Sequence, residues 1–154
     1  MIVDVLCVCR PPPVWVTQAC ADYAKRLSRS DELRFRYLNP GPDGADSVVR
    51  RRDEGRRLTK ALKAGSYLIA LDERGEELSS VELAARFGAW RGRHAHLSLM
   101  IGGADGFDPP VLAAAAEHWS LSRLTLPHLL VQVVMAEQIY RAASILAGHP
   151  YHRP

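Results

Sequence analysis

Cysteine is scarce in this chain. Cys7, Cys9 and Cys20 are the only three, an odd number that gives no complete disulfide framework. Cys7 and Cys9 stand two apart in a strand-like run and point to the same face, too close in sequence for an ordinary disulfide. Buried thiols in a reducing compartment are the expectation. Continuous apolar runs stop short of the roughly 20 residues that a membrane helix needs. The start, Met1-Ile2-Val3-Asp4, has neither the basic region nor the cleavage site of a signal peptide. A cytoplasmic protein without membrane contact is expected. Charge of one sign is also in short supply. The 20 Lys and Arg against 17 Asp and Glu leave a formal charge of +3, which permits an acidic partner without demanding one. His94-x-His96 could be half of a metal site, but no cysteine or acidic residue accompanies it at ligand spacing, so no metal is expected. Internal repeats, low-complexity tracts and domain-sized linkers are missing as well.

What is present is the composition of one globular domain, with 47% hydrophobic and 24% charged residues among 154. Such a length can bury about 70% of the unfolded surface. Ile2 to Cys9 is short and nearly all apolar, the pattern of a strand buried on both faces. Arg10-Pro11-Pro12-Pro13 ends it. Val14, Val16, Ala19, Cys20, Tyr23, Ala24 and Leu27 then recur at helical spacing. Leu33 to Tyr37 alternates, as a strand with one wet face does, and Asn39-Pro40-Gly41-Pro42-Asp43-Gly44 is a loop. A helix is predicted over 46–64, with Asp46 or Ser47 as its cap. Its Arg52, Arg56, Lys60 and Lys63 share a face, which suits solvent as well as it suits RNA phosphates.

Tyr67 to Leu71 reads as another buried strand, stopped by Asp72-Glu73-Arg74-Gly75. Ser79 or Ser80 caps a helix that runs to Arg91, with Glu82 placed to complete a capping box for Ser79. Leu97 to Ile101 is a third buried strand, followed by Gly102-Gly103-Ala104-Asp105-Gly106-Phe107. Asp108 then serves as a cap and Pro109 as a first helical residue. Leu121 to Leu126 supplies one more short strand. A helix from Leu129 to Ala147 comes next, stopped by Gly148. Strands alternating with helices predict a three-layer α/β fold, a parallel sheet covered on both faces. Ligands of such sheets bind at the carboxyl ends of the strands, where Leu71, Gly102-Gly103 and Leu121 to Leu126 fall.

Several residues could carry chemistry. Gly102-Gly103-x-x-Gly106 lets backbone approach a ligand closely. Its spacing is not that of a dinucleotide fingerprint, and a tight structural turn explains it equally well. A side chain at Gly102 is expected to fill ligand space, unless that position requires a positive φ. His128 stands at a helix start, where a lone histidine is often structural. Glu137 and Arg141 form an i,i+4 pair, usually worth only about 0.2–0.5 kcal/mol. Leu129, Leu130, Val133, Val134, Ile139, Tyr140, Ala143 and Leu146 cannot all face one core, so the last helix is expected to be buried on two sides. In a chain this small, the second side points to another subunit. Pro150 prevents the helix from resuming, which predicts an extended segment carrying Tyr151 and His152. Tyr151 then either packs on the terminus or stacks on a base.

Taken together, Leu71-Asp72, Ile101-Gly102-Gly103-x-x-Gly106, Leu121-Ser122-x-x-Thr125-Leu126-Pro127-His128, Glu137-Gln138-x-Tyr140-Arg141-Ala142 and His149-x-Tyr151-His152 resemble the ribosomal large subunit methyltransferase H family. Glu54-Gly55-x-x-Leu58 adds to the match, which spans the whole chain. The family belongs to the SPOUT class, so the resemblance implies an α/β fold with a C-terminal trefoil knot. It further implies a homodimer that uses S-adenosyl-L-methionine to methylate N3 of a pseudouridine in 23S rRNA. By position in that resemblance, the cofactor lies against Leu71, Gly102, Gly103, Leu121, Ser122, Arg123, Leu124, Thr125 and Leu126. His128, Arg141, Tyr151 and His152 stand around the target base. Family members usually carry Gly-Lys after the first strand, where this chain has Cys9-Arg10 and three prolines. A sulfonium methyl group is already activated, so this chemistry needs no metal. The modest positive charge is little with which to hold naked RNA, and points to the large subunit or whole ribosome as the partner. The sequence leaves two rivals: a knotted RNA-binding protein that has lost its cofactor, and a small metabolic enzyme on a Rossmann-like sheet. The glycine loop and Thr125-Leu126-Pro127-His128 speak against the first, and the missing phosphate fingerprint against the second.

Overall fold

Val3, Val5, Leu6, Cys7 and Val8 are all buried, on alternating sides of one strand, β1 (Ile2–Val8). A strand apolar on both faces has to lie inside a sheet that is covered above and below. The structure, a computed structural model that describes residues 1–151, places it so. β1 pairs in parallel with β2 (Glu32–Leu38) on one side and β4 (His96–Ile101) on the other. β3 (Tyr67–Glu77) continues the sheet beside β4, and β5 (Glu117–Ser120) forms the far edge. The order is β2-β1-β4-β3-β5 and every pairing is parallel.

Helices α1 (Val14–Lys25), α3 (Ser80–Arg91) and α5 (His128–Leu146) supply Val16, Phe87, Met135 and Ile139 to a core with Val3, Val5, Cys7, Ile69 and Leu99. On the opposite face, α2 (Ser47–Ala61) and α4 (Pro109–Ala114) bring Leu58 and Val111 against Leu6, Val8, Ala70 and Met100. Successive strand residues divide between the two cores with the period of two that a pleated strand imposes. This is the three-layer α/β fold expected from the alternation of elements. Local signals act where they stand. Asp46 accepts the Val49 N–H at 2.9 Å, Ser79 and Glu82 form a full capping box, and Gly148 (φ 64°) stops α5 in the left-handed region.

Three expectations need correction. β3 does not stop at Leu71. Asp72 takes the Arg74 N–H at 2.9 Å, the register with β5 shifts between Leu71 and Glu76, and the strand then resumes to Glu77. Gly75 makes this possible, because a Cβ there would lie 2.5 Å from the Trp119 carbonyl carbon and 2.6 Å from that of His118. Leu121 to Leu126 is not a strand. Ser120 Oγ donates to the Ser122 carbonyl (3.1 Å), and the Leu124 N–H donates to Ser122 Oγ (2.9 Å). Such local bonds compete with a ladder, so the edge strand lies earlier, at Glu117–Ser120. Of the eight apolar residues that could not all face one core, Ile139 and Ala143 are buried in the core of the chain itself. Tyr151 sits in a turn, its N–H 3.3 Å from His149 Nδ1, where an extended segment was expected. His152 lies outside the described residues.

The edge strand is anchored by one carboxylate. Glu117 accepts from Tyr67 Oη (2.6 Å), Arg86 (2.7 Å) and the Trp119 indole (3.0 Å), while Trp119 stacks on Trp90 with ring centroids 5.2 Å apart. α5, 19 residues long, has the length and apolarity of a membrane-crossing helix, but packs Met135, Ala136, Ile139 and Ala142 into the core shared with α1 and α3. Cys7, Cys9 and Cys20 are free thiols. Burial pushes all three up, Cys20 to about 11.

Gly75→Ala should cost about 1–3 kcal/mol, since the new methyl meets backbone atoms that cannot rotate away. The urea midpoint should fall with its slope unchanged. An unaltered midpoint would mean that β3 and β5 approach less closely than these distances require.

Candidate functional site

β1, β3, β4 and β5 end at one edge of the sheet, and the chain leaving β4 turns at once. The Gly106 N–H donates to the Gly103 carbonyl at 3.0 Å, and Gly106 has φ 78°. That left-handed conformation is open to glycine without steric cost. Arg50 on α2 holds the turn from outside through Asp105, at 2.7 Å. Two cavities flank it.

The first, about 420 Å³, opens beside the register shift of β3 and beyond the ends of β4 and β5. Leu71, Gly102, Gly103, Leu121, Ser122, Leu124, Thr125 and Leu126 line it, with Asp72, Glu73 and Ile101. Eight of the nine residues expected around the cofactor are therefore brought together. The ninth, Arg123, turns outward and pairs with Glu77 at 3.2 Å. Leu124 is 75% exposed, an apolar lip at the mouth of the cavity. Asp72 lies beside Arg74, whose hydrogen bonds hold its carboxyl below the usual range. A charged carboxylate thus stands at the cavity wall. Gly102 also packs within the turn. Its φ is not positive, and a Cβ there would press on Gly106 backbone atoms at 3.2 Å and on Phe107 at 3.4 Å. Its bare backbone serves the closure of the turn itself.

The second cavity, about 760 Å³, lies at the ends of β1, β2 and β4. Arg10 and Pro11 to Pro13, Pro40, Gly41 and Asp43, Glu54, His128 and Leu129 surround it. Gly103, Ala104, Asp105, Leu126 and Val131 line both cavities and form a common wall. His128 Nε2 is buried and has no hydrogen-bond partner among the described residues. Burial lowers the pKa of this imidazole, so it is neutral at neutral pH with a nitrogen free for a ligand. Deeper in, Gln132 donates to Cys9 Sγ at 3.6 Å while its own carbonyl oxygen finds no donor among the described residues.

Arg141 and Tyr151 do not join His128. At about 1.5 Å of rise per residue, Arg141 is roughly 20 Å farther along α5. There Glu137 holds the guanidinium at 2.8 Å, the Tyr151 hydroxyl donates to the same carboxylate at 3.2 Å, and Arg141 stands 5.0 Å from the Tyr151 ring. Tyr140 packs edge-on against that ring at 4.7 Å. Burial first, then the neighbouring Tyr23 and Glu137, push the Tyr151 hydroxyl up to about 12. His128 and the Glu137, Arg141 and Tyr151 cluster thus lie on different turns of one helix. His94 and His96 part company too: His94 stacks on Tyr67 at 4.6 Å and His96 meets Asp4 at 3.2 Å.

Sequence reasoning assigned no role to Glu54 or to the Arg50–Asp105 pair. One signal was available: Glu54 stands four residues before Leu58, on the face of α2 that must be buried.

A family model described as predicted SPOUT methyltransferase matches residues 1–152. The ribosomal RNA large subunit methyltransferase H proteins of Stenotrophomonas maltophilia (strain K279a) and Xanthomonas oryzae pv. oryzae (strain PXO99A) are each 48% identical to this chain over 143 residues, 92% of either length. The protein of that name from Xanthomonas campestris pv. campestris (strain B100) is 46% identical over the same span. With the glycine turn, the paired cavities and this likeness in agreement from end to end, the chain belongs to the SPOUT methyltransferase family.

Proposed function

We propose that this protein transfers a methyl group from S-adenosyl-L-methionine to large-subunit ribosomal RNA, at N3 of a pseudouridine in 23S rRNA. The observation that carries this reading is the pair of cavities meeting at one glycine wall, with a neutral histidine in the second. The first cavity fits the cofactor. Its volume of about 420 Å³ is that of a small-molecule site, its Leu71, Leu121 and Leu126 suit a heterocycle, and the carboxylates of Asp72 and Glu73 suit a cation. When bound, the cofactor supplies a methyl group on a positively charged sulfur, which departs as a neutral thioether with the electrons of the broken bond. The protein's part is to hold the nucleophile in line and to relieve N3 of its proton. His128 Nε2 accepts that proton as the bond from N3 to the methyl carbon forms, and later releases it to solvent. The knot of the family is assigned to Leu121–Pro127 and α5, which pass beside the glycine turn to wall both cavities.

We further infer a homodimer. Leu130, Val134, Glu137 and Arg141 succeed one another at i+4, i+3 and i+4, a single stripe on α5. Leu130 is 42% exposed, and Val134 is only partly covered. Two α5 helices crossing antiparallel about a two-fold axis beside Val134 would bring His128 level with the partner subunit's Arg141. That arrangement unites the half-sites that one protomer keeps apart.

Titration calorimetry with S-adenosyl-L-methionine and transfer of labelled methyl to ribosomes test the activity. Stoichiometric binding and labelled 23S rRNA are expected; binding without transfer favours a non-catalytic RNA-binding protein, and absence of both removes the reading. Because burial lowers the His128 pKa, single-turnover transfer should hold its rate as pH falls to 6.5, the ordinary value, and decline only below it. His128→Asn should lose about 10²–10⁴-fold in rate; an unchanged rate would take the proton-accepting role from His128. Val134→Asp should convert a dimer to a folded monomer in sedimentation and abolish transfer. A wild-type monomer at micromolar concentration would remove the dimer.

A further inference from the structure

Glu54 is a buried charged group beside the second cavity that methyl transfer leaves without a task. It is 4% exposed on α2. Oε1 accepts the Gly41 N–H at 2.8 Å, and Oε2 is buried with no donor among the described residues. A Cβ on Gly103 would lie 2.5 Å from Oε2, so the carboxylate presses on the wall between the two cavities. The cations near it are engaged elsewhere: Arg50 with Asp105, Arg57 with Asp53 and the Asn39 and Pro40 carbonyls, Arg10 with Asp43. A buried carboxylate oxygen left unpaired is costly. A donor arriving from outside the protein accounts for it.

We propose that the second cavity receives the target nucleotide, turned out of its RNA stack, and that Glu54 Oε2 accepts a hydrogen bond from the ring N1–H of pseudouridine. This rests on the methyltransferase reading. Enzymes that act on a base extrude it into a pocket of this kind, and about 760 Å³ holds a whole nucleotide. Pro11 to Pro13 and Leu129 offer apolar walls for the ring faces, and Arg10 stands at the rim where the phosphate lies. His128 Nε2 shares the cavity, for N3. Pseudouridine and uridine are isomers that present the same carbonyls and the same N3–H. They differ at one ring edge, where pseudouridine carries N1–H and uridine carries C–H. A carboxylate fixed against that edge satisfies its free oxygen with one isomer and keeps it unpaired with the other. Glu54 is then the specificity-determining residue, and its chemistry explains why a charged acceptor is held in so dry a place.

The test compares ribosomes that carry pseudouridine or unmodified uridine at the target, with wild type and Glu54→Gln. Wild type should favour pseudouridine at least about tenfold, the discrimination typical of a site built around one hydrogen bond to a charged group. Glutamine has one acceptor for two donors, Gly41 N–H and the base. The variant should therefore lose about 10–100-fold on pseudouridine and little on uridine, with cofactor affinity and melting temperature unchanged. Full preference in a folded Glu54→Gln protein, or no preference in wild type, overturns the inference. Wild type that methylates neither ribosome overturns the methyltransferase reading instead. If Glu54→Gln does not fold, amide spectra of the wild-type protein decide: pseudouridine 5′-monophosphate should shift Gly41 and Gly103 more than uridine 5′-monophosphate does. Equal shifts from the two nucleotides overturn the inference.

Discussion

The level pairing of β4 between β1 and β3 is the constraint on which the rest depends. Cys7 and Leu71 both stand opposite Ile101, so β1, β3 and β4 are in step at the point where β4 ends. Parallel ladders tie this register to the burial of both faces, because a slip of one residue would move each side chain from its own core to the opposite one. With the strands in step there, the turn after Ile101 has a cavity on either side. The irregular middle of β3 and the segment leaving β5 bound one cavity, and the segments leaving β1 and β2 bound the other. The glycines of that turn answer to the same constraint, since the turn has to reverse within four residues between two neighbours already in place.

Much of the sheet was legible because burial writes itself plainly into strands such as Val3–Val8, and capping into Ser79-x-x-Glu82. The lining of the first cavity was legible for a different reason: its residues cluster near the strand ends and match a family pattern. The features that stayed hidden depend on contacts distant in sequence. Nothing in Asp72-Glu73-Arg74-Gly75 announces that β3 resumes, because the reason lies in the Trp119 backbone that Gly75 lets pass. The alternation in Leu121–Leu126 imitates a strand, yet the hydroxyls of Ser120 and Ser122 draw the backbone into a loop. Likewise, Ile139 could not be divided from Val134 by apolarity alone, since one faces α1 and α3 and the other does not.

α5 combines duties that helices usually divide. Its inner face completes a core, its first residue lines a cavity, and its later turns hold the Arg141, Glu137 and Tyr151 cluster. Rigidity is the physical benefit. A helix packed along most of its length transmits position over roughly 20 Å without loss, so the orientation of His128 is set by the same packing that fixes Met135 and Ile139.

The common wall has a thermodynamic meaning of its own. Gly103, Ala104 and Asp105 line two cavities at once, and at Gly103 the wall between them is only as thick as its backbone. Linkage makes any coupling across it symmetrical: the factor by which one occupant alters the affinity of the second is the factor by which the second alters the first.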